Sequence, residues 1–294
     1  MSPLPVNKLY IDSQFKTADS VSDSQFKVQL PITLDFPEHT FFVMGDINIP
    51  HTWQTIEKDV NDHIYFLLYD VTNPNLNPPV PASEVYMIID PGNYTGTQLK
   101  DAINSEFGNV YSANNPGVSF SLAGVMSCIY YYPTNTISFH LLGGGIKKYK
   151  AKVLTDYELT QTGRSFAKQS TSSIPSMNDV FRNYGVSMLF DELNDYYTGF
   201  LNLVLCSDVY LSSPNLGTFD TLTATGEQGV IKKIPITGDY GTTVLDKVTS
   251  VYDQLECSRV TLTTLEFALK DAKGRYIPLH GATISFTIIF MQGN

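Results

Sequence analysis

Apolar and polar positions alternate with a period of two along much of the chain, most regularly between Arg259 and Phe290. Leu265, Phe267 and Leu269 point one way while Glu266, Ala268 and Lys270 point the other. Further on, Ile284, Phe286, Ile288 and Phe290 alternate with Thr283, Ser285 and Thr287. Alternation of β-branched and aromatic residues with polar ones predicts two strands, each with one face in a core. Asp271, Lys273 and Gly274 supply a polar turn between them. Two such strands need the rest of the chain as a second face, so the pattern predicts a β-sandwich.

The same reading extends upstream. Residues 1–8, with Pro3 and Pro5, form an extended arm, and the polar stretch from Asp12 to Ser24 makes turns. Phe26, Val28 and Leu30 mark the first strand, with Pro31 and Pro37 bounding the next link. Thr40 to Ile49 is a second strand, ended by Pro50-His51-Thr52-Trp53, and Ile64 to Tyr69 is a third that closes a meander. The proline-rich run Asn73 to Pro81 reads as loop, and Val85 to Ile89 as strand. One helix is predicted, from Gly96 to about Phe107. Thr95 caps it, Gln98 completes a capping box, and Leu99, Ala102, Ile103 and Phe107 share one face. Val118 to Leu122, Met126 to Tyr132 and Thr136 to Leu142 follow as strands. The Ser, Thr and Gln of residues 156–182 read as a crossing segment. Beyond Tyr184 strands resume at Val186–Leu189, Phe200–Leu205, Val209–Leu211 and Gly229–Ile236, with weaker ones at Tyr240–Thr243 and Val248–Val251. Composition shifts near 90 and 180. Residues 1–90 and 181–294 therefore read as one discontinuous all-β domain, and residues 91–180 as an insertion with one helix and β-hairpins.

Composition changes the picture in three ways. A chain of 294 residues can bury about three quarters of its unfolded surface, so a large core is available. Charged residues make up 16%, whereas aromatics reach 12% through 18 Tyr and 17 Phe. That balance suits polar but uncharged outer strand faces and surfaces that meet other proteins. Net charge is −10 with no basic run, which argues against a nucleic-acid site. Cys128, Cys206 and Cys257 are far apart, odd in number and set in apolar strands. They fit buried free thiols and a reducing compartment, not a disulfide framework. The first residues lack the apolar core of a signal peptide, and no apolar run is long enough to span a membrane.

Candidate chemistry is sparse. His39, His51, His63, His140 and His280 form no HxH or HxxxH pair, and turn or edge positions are the favoured reading over a metal site. Gly143-Gly144-Gly145 before Ile146, Lys147 and Lys148 lacks phosphate-loop spacing and reads as a flexible turn. Asp59, Asn61 and Asp62 resemble half a calcium loop without its glycine and terminal glutamate. Ser, His and Asp are plentiful, yet no spacing picks out a triad. No catalytic, metal or cofactor-binding residue is assigned, and the chain reads as a non-enzyme. The aromatic clusters Tyr130-Tyr131-Tyr132 and Tyr196-Tyr197 should each send a tyrosine outward, because neighbours on a strand face opposite sides. An outward tyrosine would serve as a subunit contact or a glycan platform, an inward one as core.

Two passages carry a resemblance. One is Leu9-Tyr10-Ile11-Asp12-Ser13 with Ser24-Gln25-Phe26-Lys27-Val28-Gln29-Leu30, continuing to Asp46-Ile47-Asn48-Ile49-Pro50-His51-Thr52-Trp53. The other runs from Leu265-Glu266-Phe267-Ala268-Leu269-Lys270-Asp271 to Leu279-His280-Gly281-Ala282-Thr283-Ile284-Ser285-Phe286. With Gly92-Asn93-Tyr94-Thr95 before the helix, they resemble the penton, or minor capsid, proteins of Polinton/Maverick elements, adintoviruses and virophages. The resemblance implies an antiparallel jelly-roll β-sandwich without enzymatic activity or cofactor. It also implies homo-pentamers at the vertices of an icosahedral virion, beside a double-jelly-roll major capsid protein. It carries over no site residues. The competing expectation is a receptor- or glycan-binding β-sandwich spike, which would be trimeric.

Overall fold

The computed structural model describes residues 4–71, 81–143, 148–161, 166, 174–217, 221–224, 226, 228–247 and 253–293. Strands β1 (Lys8–Asp12), β2 (Gln25–Asp35) and β3 (Thr40–Pro50) come first. A long middle run holds β4 (His63–Asp70), β5 (Pro81–Ile88), α1 (Gly96–Glu106), β6 (Val110–Ser112), β7 (Asn115–Phe120), β8 (Met126–Tyr131) and β9 (Thr136–Leu141). It continues with β10 (Tyr149–Val153), α2 (Asp156–Leu159), α3 (Asn178–Phe181) and β11 (Tyr196–Tyr197). The last run is β12 (Asp208–Ser212), β13 (Val230–Pro235), β14 (Thr243–Asp246), β15 (Leu255–Glu256), β16 (Thr261–Lys270) and β17 (Ser285–Gln292). Two compact units result, Met1–Trp53 with Cys206–Asn294, and Gln54–Leu205.

The first unit is an antiparallel jelly roll. One sheet has the order β1-β17-β3-β14, with β15 also on β3, and the other has the order β13-β12-β16-β2. Most successive strands change sheets, β12–β13 and β14–β15 excepted, as in a double-sheet jelly roll. Alternation decides which side chains meet between the sheets. Leu265, Phe267 and Leu269 are buried from one sheet, and Ile284, Phe286, Ile288 and Phe290 from the segment feeding the other. Phe267 and Phe286 meet edge to face with centroids 4.9 Å apart. Phe36 stacks on Phe290 at 4.4 Å.

Several expectations are corrected here. β16 and β17 are not a hairpin. The turn does form, with Asp271 Oδ1 accepting from Lys273 N at 2.8 Å and Arg275 N at 2.9 Å. After Lys270 pairs with Tyr276, however, the chain crosses to the opposite sheet. Pro31 lies inside β2 rather than ending it. Leu262 pairs with Leu34 and Thr264 with Gln29, so residues 30–33 bulge opposite Thr263, and an edge strand tolerates the missing N–H there. β1 and β15 are additional strands. The weak strand at Tyr240–Thr243 is a turn around Gly241 (φ +81°) that leads into β14. Val248–Val251 lies outside the described residues.

The second unit has a five-stranded sheet, β10-β4-β5-β6-β7, and a three-stranded one, β11-β9-β8. The expected boundaries near 90 and 180 fall inside this unit, because β4 and β5 pair with β10 and β6 and not with β3. β4 reads as an unbroken apolar run because both its faces are covered. Ile64, Phe66 and Leu68 enter the main core, and Tyr65 and Leu67 a smaller one with Leu154, Leu159 and Phe166. Phe139 of β9 is the hub, edge-on to Phe66, Phe107 and Phe181 at 5.6, 6.5 and 5.8 Å. α1 begins with the expected Thr95–Gln98 capping box and buries Leu99 and Ile103. Residues 156–182 are, where described, more than a crossing. α2 has its own capping box from Thr155 and Glu158. Asn178 Nδ2 donates to Leu154 O at 3.0 Å and to Asp156 Oδ1 at 2.8 Å. Most of the Asn73–Pro81 loop lies outside the described residues, and its last residue, Pro81, starts β5.

Val186–Leu189 and Phe200–Leu205 are not strands. Their backbone bonds are scattered over different elements: Phe190 pairs with Ala151, Leu201 N donates to Asn135 O, and Asn202 N to Val180 O. Val186, Met188, Leu189, Phe200 and Val204 are exposed, whereas Phe190 and Leu201 are buried.

Candidate interaction surface

The histidines are dispersed. His39 (φ +57°) and His280 (φ +49°) occupy exposed turns. His51 is buried, hydrogen-bonded through Nδ1 to Gly238 O at 2.8 Å and packed on Trp53 at 4.3 Å. His63 bonds Asp62 at 2.6 Å and packs against both Tyr65 and Tyr86. Among the described residues no three His, Cys, Asp or Glu side chains converge as a metal would need. Asn61 and Asp62 turn inward on their own loop. Asn61 Oδ1 accepts from Glu57 N at 2.7 Å, Asn61 Nδ2 donates to Thr55 O at 2.9 Å, and Asp62 Oδ2 accepts from Asp59 N at 3.0 Å. Of the glycine run, Gly144, Gly145, Ile146 and Lys147 lie outside the described residues. The three cysteines are free and buried.

The tyrosine clusters do come together. β11 pairs with β9, placing Tyr196 against Phe139 and Tyr197 against Ser138 in register. Tyr196 turns inward onto Phe139 and Phe190, and burial pushes its phenol up. Tyr197 turns outward, 54% exposed, with its ring 5.9 Å from Tyr131. Its hydrogen bond to Tyr131 raises the Tyr197 phenol, and Asp195 adds to that. Tyr130 points toward α1, its ring filling the space left by Gly96, and its hydroxyl donates to Asn135 Oδ1 at 3.0 Å.

A polar array crosses the outward face of β9. Asp195 Oδ1 lies 2.7 Å from His140 Nδ1, and His140 Nε2 lies 2.6 Å from Ser138 Oγ. With Nδ1–H donating to the carboxylate, Nε2 is left to accept the serine hydroxyl. The order of groups is that of a nucleophilic triad, but Ser138 is fully buried at 0% exposure in the central strand of its sheet. An acyl group has no path to that oxygen. What the array does is hold the Asp195 carboxylate, one third exposed, in a fixed orientation at the surface.

Beside it the irregular segment 182–199 forms an open depression of about 600 Å³. Arg182, Tyr184, Met188, Asn194, Asp195 and Tyr197 line it. Tyr184 is 68% and Met188 79% exposed. Its floor is polar: Ser187 donates to Val153 O, and Asn183 Nδ2 donates to Asn178 Oδ1 at 2.9 Å. Sequence reasoning singled out Tyr197, and His140 only as one of five scattered histidines, but not Ser138 or Asp195. Ser138 and His140 share a strand face at i and i+2, a visible spacing, whereas Asp195 joins them only through the two-residue pairing of β11.

No family model matches the chain, and no curated protein matches it. Among solved structures, the crystal structure of the mavirus penton protein is similar, with a TM-score of 0.47 and 9% identity over 97% of this chain and 100% of that one.

Proposed function

We propose that the protein is a structural subunit of an icosahedral viral capsid. In this reading it forms homo-pentamers at the vertices of the virion, beside a double-jelly-roll major capsid protein. The observation that carries it is a complete jelly roll with large apolar side chains exposed on both of its opposite flanks. β1 and β14 are the two edges of one sheet, and β2 and β13 those of the other. Tyr10 of β1 and Ile32 of β2 are 74% and 61% exposed, while Tyr240 before β14 and Leu245 within it are 50% and 49% exposed. A ring needs two different, complementary flanks on each subunit, because its contacts run head to tail. The two longer passages that resemble penton proteins fall in one unit, on or beside β1, β2, β3, β16 and β17, and Gly92–Thr95 lies in the other. Among the described residues no helix is long and apolar enough to cross a membrane.

Permanent contacts of this kind bury about 2,000 Å² or more. A net charge of −10 on every copy opposes them, but salt near physiological strength screens charges beyond about 8 Å. Native mass spectrometry across a salt series, with and without the major capsid protein, should find pentamers that strengthen with salt. Ile32→Asp and Leu245→Asp should each abolish rings while leaving the fold intact. Mixed together they retain one good flank each and should stop at dimers. A monomer under every condition, or a stable trimer, overturns the reading.

A further inference from the structure

We infer that the depression lined by Arg182, Tyr184, Met188, Asn194, Asp195 and Tyr197 is a carbohydrate-binding site for a neutral oligosaccharide. The inference goes beyond the capsid reading and does not depend on it. A sugar ring presents two chemistries, an apolar face of C–H groups and an edge of hydroxyls that both donate and accept. The depression offers a counterpart to each. Tyr184 and Tyr197 are 68% and 54% exposed, and the Tyr197 ring lies 5.9 Å from that of Tyr131. The lining adds a carboxylate, an amide and a guanidinium, the planar groups that meet adjacent hydroxyls in pairs. Asp195 is preset for this by His140, which Ser138 holds in turn. A carboxylate already oriented loses less freedom when a ligand arrives.

At the floor Ser187 and Asn183 are buried and bonded to the fold, so the polar groups left for a ligand are those of Arg182, Asn194 and Asp195. The volume of about 600 Å³ lies within the usual range for small-ligand sites, about 300–1,000 Å³. Charge selects among sugars. The two charged residues of the lining, Arg182 and Asp195, balance each other, so the depression offers an acidic sugar no net positive charge and suits a neutral one.

The test is saturation-transfer NMR on the full chain with four soluble probes: triacetylchitotriose, maltotriose, lacto-N-tetraose and, as the acidic member, 3′-sialyllactose. At least one neutral probe should bind and the sialylated one should not. Tyr197→Ala should weaken binding about tenfold or more, the loss expected from about 1.4 kcal/mol of contact. Asp195→Asn should weaken it by a smaller factor, and Tyr132→Ala, on an 84% exposed residue outside the depression, should leave it unchanged. Near-ultraviolet circular dichroism checks that each variant is folded. Binding of none of the neutral probes, preference for the sialylated probe, or wild-type binding by Tyr197→Ala and Asp195→Asn overturns the inference. So does a change in oligomeric state as the sole effect of Tyr197→Ala, which would make the surface a contact between copies. Subunit mass judges the capsid reading separately, so the two can fail independently.

Discussion

Cys128, Cys206 and Cys257 occupy surroundings in which a thiolate is poorly solvated, and burial pushes each thiol up to about 12 from an ordinary value near 9. The consequence for reactivity is direct, since the thiolate is the nucleophile. At pH 8 a thiol reagent should label none of the three in the native protein and all three in denaturant. The sign for stability follows from proton counting. Below about pH 9 folded and unfolded chains both hold the thiol protons, and the contribution is complete. Between about 9 and about 12 the unfolded chain releases them while the folded chain keeps them, so stability falls as pH rises. Tyr65 and Tyr196, raised chiefly by burial as well, act in the same direction. Urea midpoints measured from pH 8 to 10.5 should therefore decline. Rapid native labelling of any of the three thiols would show that its pocket is open.

At the scale of elements, Phe267 on β16 and Phe286 on β17 fasten the two jelly-roll sheets to each other. Truncating either ring to Ala should lower stability by about 3–5 kcal/mol, and a double-mutant cycle should find about 0.5–1.5 kcal/mol of coupling between them. Glu266→Ala and Thr287→Ala, on the opposite strand faces, should stay near about 0.5 kcal/mol. Urea midpoints with the reverse ranking would mean a register shifted by one residue. Alternation made these faces readable from the sequence, because one side of each strand is dry and the other wet. A period of two names the face of a strand but not its partner. Hence the pattern of β16 and β17 around a genuine Asp271 turn is also that of a hairpin, and nothing local to β4 distinguishes β5 and β10 from β3 as its neighbours. β10 carries no clear strand pattern because Lys150 and Lys152 interrupt its short apolar run, and β6, β11 and β15 have only two or three residues. Apolar residues at 186–189 and 200–205 looked like strands, yet no neighbouring strand there takes their backbone as a ladder. The candidate surface was half readable for the same reason. Outward tyrosines follow from alternation, whereas the union of Asp195 with His140 depends on a long-range pairing that no local pattern encodes.

For the whole molecule, the decisive feature is that residues 54–205 begin and end at one place. Thr55 Oγ1 donates to Leu203 O at 3.1 Å, and Thr55 N donates to Asn93 Oδ1 at 3.0 Å. The unit's two ends are thus tied within its own fold, as befits a segment inserted between consecutive strands of a jelly roll. Its main core is contributed by elements of that unit alone, from Ile56 to Leu201. A domain of about 150 residues buries about 68–70% of its unfolded surface, enough to stand alone. Expressed by itself, the segment 54–205 should give a single cooperative thermal transition and a near-ultraviolet spectrum with ordered aromatic bands, reporting the packing around Phe139. The remainder, with Trp53 joined to Cys206 through a short Gly-Ser linker, should retain the jelly roll. Among the described residues, the strands its eight principal strands pair with are one another and β15. A non-cooperative melt from the isolated segment would mean that its core is completed by the rest of the chain. If both pieces fold, oligomer formation can be assigned to the jelly roll and sugar binding to the inserted unit, each measured without the other present.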